Sequence, residues 1–184
     1  MKETEYTVIR SRRRTVAITI DSDANLVVRA PLRMSDRAIA GFVESKNDWI
    51  RKHQEKMRQR AKKRDAVPAF TDAEREELVR KAKKIIPERV AHFAPIIGVT
   101  YGNITIRNQK TVWGSCSTRG NLNFNCLLAA LPAEVTDYVV VHELCHRKEM
   151  NHSARFWAEV ERIIPNHKAI RKWLKEEGTV YLGR

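Results

Sequence analysis

The sequence predicts an α+β protein, and three observations predict it. Thr15-Val16-Ala17-Ile18-Thr19-Ile20 alternates in period two and is followed, after turn residues, by Leu26-Val27-Val28-Arg29-Ala30, which reads as a β-hairpin. Several longer stretches place apolar residues at helical spacing behind good capping residues. Between two such stretches, short strand-like runs cluster around Gly102, Gly114 and Gly120.

The turn from Asp21 to Asn25 joins the hairpin strands and Pro31 stops the second one. Ser35 caps a helix whose apolar positions are Ile39, Phe42, Val43, Trp49 and Ile50, and which is expected to run on to about Asp65. Thr71-Asp72-Ala73-Glu74 is a capping box, so a second long helix starts there, with Leu78, Ala82, Ile85, Ile86 and Val90 on its apolar stripe. Pro87 should kink that helix, and Pro95 with Gly98 should end it. Asn103 to Arg107, Thr111 to Cys116 and Leu122 to Asn125 are expected as strands, then three helices over Ala133 to Lys148, Ser153 to Ile164 and Asn166 to Glu177. Pro68 divides the chain into an N-terminal lobe, residues 1–67, with the hairpin and a basic helix, and a C-terminal core, residues 68–184.

Length and composition limit the function classes. The 184 residues suffice for one well-buried core, and 42% hydrophobic with 31% charged residues is the balance of a soluble globular protein. No apolar run approaches the roughly 20 residues that span a bilayer, and Met1 to Glu5 have no signal-peptide character, so no membrane partner is expected. Cys116, Cys126 and Cys145 are an odd and scattered set, which fits reduced thiols and a cytoplasmic setting. The net charge of +13 points toward anionic partners. The excess is densest in the helix from Arg51 to Arg64, either a nucleic-acid contact or a solvated face, with no aromatic interleaving to favour base stacking.

The chemistry is concentrated in His142-Glu143-Leu144-Cys145-His146. Residues four apart on a helix share a face, so His142 and His146 can converge on one tetrahedral ion. Glu143 is turned too far for easy ligation, yet near enough to take a proton from metal-bound water. His152 follows His146 by six residues and supplies a third ligand, provided that the helix ends and the chain folds back near Asn151. Asn tolerates the left-handed conformation, so Asn151 is expected to make the turn and Ser153 to cap the next helix. Three protein ligands leave the fourth position of one Zn2+ open for chemistry. Glu159 is the alternative third ligand; Cys145 points off the metal face and reads as core.

Trp113-Gly114-Ser115-Cys116-Ser117, Asn125, the run from Asp137 to His146, and Asn151-His152-Ser153 with Phe156-Trp157 resemble the YgjP-like family of small zincin metallohydrolases, relatives of SprT-like proteins. Arg10-Ser11-Arg12-Arg13 and Trp49-Ile50 resemble that family's N-terminal part. The resemblance implies a zincin-like core with the HExxH metal helix packed under a small β-sheet. It further implies zinc on His142, His146 and His152, with Glu143 as general base. Metzincins carry a glycine between their second and third histidines; Met150 and Asn151 stand in this stretch, so the turn must differ.

Three functions are compatible with these features. The first is a zinc metallopeptidase, in which the strands around Trp113 and Gly114 offer an edge to an extended peptide. The second, an activity associated with the family, is hydrolysis of a nucleotide phosphoanhydride such as that of UTP, for which Arg107, Lys110 and Arg119 are candidate phosphate contacts. The third is a nucleic-acid-associated protease or binding protein using the basic helix. Trp113 and Asn125 complete the candidate substrate residues, and Tyr101, Asn125, Arg119 and His167 are candidates to stabilise a transition state.

Overall fold

The computed structural model describes residues 5–182, the side chain of Thr179 excepted. The reading of residues 1–4 as a polar terminus lies outside this range. The chain divides into two compact units, Met1–Val67 and Pro68–Arg184.

In the first unit, β1 (Thr7–Ser11), β2 (Ala17–Ile20) and β3 (Leu26–Pro31) form a sheet in the order β1-β3-β2. The expected hairpin is the antiparallel β2–β3 pair, with Ile18 opposite Val28. Its turn is built as the sequence suggests: one Asp21 carboxylate oxygen accepts from the backbone N–H groups of Asp23 and Asn25, and Ala24 takes a φ of 65°. β1 was not foreseen. It runs parallel on the other side of β3, and its short, largely exposed Thr7–Ser11 run has too little alternation to announce itself. Leu26, Val28 and Ala30 point from one face of β3 into a core shared with Ile39, Val43 and Ile50.

The single helix expected after Ser35 is two: α1 (Asp36–Glu44) and α2 (Asn47–Ala66). Ser45 causes the break locally. Its hydroxyl donates to the Phe42 carbonyl at 2.7 Å, and the Lys46 N–H turns back to Val43, tightening the chain for one turn. α2 carries the basic segment. On its N-terminal turns the half-exposed Trp49 stacks on His53, ring centres 3.9 Å apart.

In the second unit, α3 (Asp72–Ile97) begins with the expected capping box, both reciprocal bonds between Thr71 and Glu74 being present. Pro87 does not interrupt it. Ala82, Ile86, Val90, Phe93 and Ile97 are buried along one side of this helix, and this packing holds it continuous past both prolines. Gly98, at φ 79°, ends it.

β4 (Ile104–Arg107), β5 (Gly114–Cys116) and β6 (Leu122–Asn125) then form a second sheet, order β4-β6-β5, with β6 central, parallel to β4 and antiparallel to β5. β5 is shorter than the Thr111 to Cys116 run suggested. Asn125, fully buried, donates its side-chain amide to the carbonyls of Gln109 and Val112 and so holds that stretch as a loop. After a 3-10 turn, Cys126–Ala130, come α4 (Ala133–Cys145), α5 (Ala154–Ile163) and α6 (His167–Glu176). α4 lies at the centre, packed against α3, α5, α6 and β5, so the class is α+β with the HExxH helix against a small sheet.

α4 is also tied to α3 by charge. Arg89 grips Asp137 with two parallel bonds of 2.5 and 2.8 Å, both side chains part-buried. Replacing either by alanine should cost about 1–2 kcal/mol in urea melts, and the double variant should cost less than the two single losses together. Strict additivity would show that the fork contributes nothing as a pair.

Candidate metal centre

The site is built on one face of α4. His142 and His146 stand one above the other, with Tyr138 a turn earlier on the same face. The helix stops at Cys145, and His146 itself caps it. The Asn151 side-chain oxygen accepts from the Ser153 N–H at 3.2 Å, and the Ser153 hydroxyl accepts from the Phe156 N–H, opening α5. The turn therefore differs from expectation in its device. Ala24 is the only non-glycine residue with positive φ among the described residues, so Asn151 turns the chain through its side chain and not through a left-handed backbone.

That turn brings His152 onto His142, with their Nε2 atoms 3.0 Å apart. One ligand atom from each of His142, His146 and His152 lies within 4.8 Å of the others. Bonds of about 2.0–2.1 Å to a tetrahedral ion require donor atoms about 3.3 Å apart, so the set fits a small dication. The orientation agrees: His146 Nδ1 faces the Glu149 carbonyl at 3.1 Å and donates to it, which leaves Nε2 as the basic nitrogen. Burial, followed by the neighbouring His146 and His152, depresses His142 to about 3, and burial also lowers His146. Neutral imidazoles are what a metal needs.

Phe156 is the floor of the site. Fully buried, it stacks against His146 with ring centres 4.5 Å apart and meets His142 and His152 edge-on at 4.9 and 4.8 Å. Trp157 is the wall: it stacks on His152 at 5.6 Å and on the buried His167 at 5.7 Å. The Arg171 guanidinium of α6 sits 4.5 Å from the Trp157 ring centre, and its charge is felt at both His142 and Tyr138.

Glu143 is buried beside this set, and burial pushes its carboxyl up to about 8. β5 covers it. A Cβ on Gly114 would lie 2.8 Å from the Glu143 Oε1 and Cγ atoms, so the strand approaches the carboxylate as only glycine allows. The β5–β6 turn is fastened to the end of α4 by Arg147, which donates to the carbonyls of Thr118 and Thr100, both at 3.1 Å.

Other sequence candidates are dispersed. Trp113 is part-buried and packs on the core, and Asn125 is spent on main-chain groups. Arg107, Lys110 and Arg119 are exposed, and no described contact joins them to the three histidines. Glu159 accepts from Lys148 and Arg162, both at 3.0 Å, and lies outside the histidine cluster. Phe156 and Trp157 follow His152 at helical spacing and were legible only as part of a motif. Arg171 and Arg147 carry no local signal at all.

The buried carboxyl gives a pH test on metal-stripped protein. A folded-state value near 8 against about 4.3–4.5 in the unfolded chain means that the folded form holds its proton longer, so stability falls as pH rises through that window. Glu143→Gln removes this loss and should be more stable than the parent by about 5 kcal/mol at pH 9, a gap that closes toward pH 5. The depressed His142 acts at lower pH in both proteins and cancels. A stability difference that stays constant from pH 5 to 9 would rule out this account.

The model of a family described as "YgjP-like, metallopeptidase domain" matches residues 14–77 and 69–177. Among solved structures, the metallopeptidase zymogen abylysin of Pyrococcus abyssi is 26% identical with a TM-score of 0.47, over 51% of this chain and 96% of that one. The metallopeptidase zymogen jannalysin of Methanocaldococcus jannaschii is 23% identical with a TM-score of 0.46, over 51% and 97%. No curated protein matches the chain. With most of its length covered by the family model, the chain belongs to the YgjP-like metallopeptidase-domain family.

Proposed function

We propose that the protein is a zinc-dependent peptidase in which His142, His146 and His152 hold the metal and Glu143 is the general base. The observation that carries this reading is the convergence of three imidazole nitrogens next to a buried carboxylate. Family membership implies a catalytic metal, and a three-nitrogen set with tetrahedral spacing suits zinc. When bound there, zinc polarises a carbonyl and makes water acidic enough to react near neutral pH.

The chain's own residues do the rest. Glu143 takes the proton of the attacking water and returns it to the departing amine. Burial raises its proton affinity, which favours the uptake of that proton. Phe156 and Trp157 exclude water from one side of the histidines and fix the His152 and His146 rings. β5 is an edge strand, and Gly114 on it touches Glu143, so an extended peptide pairing with β5 would be laid past the base.

Among the described residues no helix is long and apolar enough to cross a membrane, and the three cysteines are free thiols, which accords with a cytoplasmic setting. Nucleotide hydrolysis draws less support, because Arg107, Lys110 and Arg119 are not gathered at the histidines. Nucleic-acid association draws no support beyond the charge of α2, whose Trp49 is stacked on its own His53.

Glu143→Gln should keep its zinc while peptide turnover falls by about 10²–10⁴-fold, as expected for loss of a general base. Unchanged turnover in the metal-replete variant would remove Glu143 from that role. His152→Ala should lose zinc on dialysis that leaves the parent loaded; full retention, read by metal analysis, would assign the third ligand elsewhere.

A further inference from the structure

We propose that Arg171 is the substrate-anion receptor of this site, and that the peptidase accordingly favours peptides with a carboxylate near the scissile bond. The inference rests on the peptidase reading above and names the substrate feature that the site selects. Neither the HExxH region nor the family resemblance singles out this arginine; its place in the fold does.

Two observations carry it. The first is position. Trp157 stacks on the His152 ring and also meets the Arg171 guanidinium, so one aromatic side chain touches both the cation and a candidate metal-binding imidazole. The second is support: the guanidinium carbon is held 4.5 Å from the Trp157 ring centre, and a cation resting on an aromatic ring keeps N–H donors for a planar acceptor. Stacking also removes rotamer freedom in advance, so little is lost when two parallel bonds to a carboxylate form.

The surroundings leave this cation for a ligand. Among the described residues no carboxylate is paired with Arg171, whereas Arg89, Arg162 and Arg80 each grip an acidic side chain. Arg171 is exposed while the Trp157 that it meets is part-buried, so the guanidinium is accessible to a ligand. An acidic side chain and a free chain terminus present the same carboxylate chemistry, and both are admissible sources.

The test uses the full-length, zinc-loaded protein and a set of fluorogenic peptides that differ only by Asp against Asn at each position flanking the cleaved bond, each with a free or an amidated C-terminus. The parent should prefer one acidic position, or the free terminus, by about tenfold in kcat/KM, carried mainly by KM and shrinking as salt is raised. Arg171→Gln should bring that acid-to-amide ratio to about one, and Arg171→Lys should restore part of it, since charge returns without the fork. Lys172→Gln removes one charge from the same helix and should leave the ratio at the parent's value. The same peptides titrated onto zinc-loaded Glu143→Gln, with and without Arg171→Gln, read the preference as affinity, independent of turnover. Acid preference in binding with no hydrolysis by the parent would refute the peptidase reading and retain the receptor. A ratio near one in the parent, a ratio unchanged by Arg171→Gln, or an equal fall with Lys172→Gln overturns the proposal.

Discussion

The second unit depends on one constraint: α4 is buried on nearly every side while carrying ionisable groups in its middle. Val135, Tyr138, Val139, Val140, Val141, Leu144 and Cys145 are all buried, which fixes the helix in the core. Glu143 and His146 are buried with them. Desolvation then acts in opposite directions on adjacent residues, lifting the carboxyl and depressing the imidazole beside it. Both groups are thus driven toward neutrality in the absence of a cation. The apolar packing that holds the helix still is therefore also what tunes its chemistry.

Everything that surrounds α4 follows from supporting that face. Phe156 occupies the space beneath the three rings, and its position is set by the Ser153 cap, itself set by the Asn151 side-chain turn. α3 fixes one end of the helix through Arg89 and Asp137, and Arg147 fixes the other end to the strand turn. The His152 loop, α4 and the edge strand are thereby fastened to each other by short-range contacts. A site assembled from three separate elements needs such cross-ties to keep its atoms within the tolerance that catalysis requires.

The parts of this arrangement that were legible in the sequence are those written in local spacing. The histidine pair, His152, the capping box at Thr71 and the Ser153 cap depend on residues a few positions apart, and each is where the pattern places it. The errors came from tertiary contacts and from competing local bonds. Pro87 is disruptive in an isolated helix, but α3 runs unbroken through it, with Ile86 and Val90 buried on either side. The long helix after Ser35 was split by a serine hydroxyl bonding back to Phe42, a bond that helical periodicity does not reveal. β1 pairs with a strand that follows it in sequence and has almost no buried side chain of its own. Arg171 lies far along the chain from the histidines and comes near them only because it meets Trp157, which stacks on His152.

Gly114 shows how far the centre extends beyond the groups that react. Its strand lies so close to Glu143 that the volume of a single methyl group is already taken by the carboxylate. In design terms, position 114 is where geometry and charge can be separated. An alanine there leaves every ionisable group in place and alters only where one carboxylate can stand.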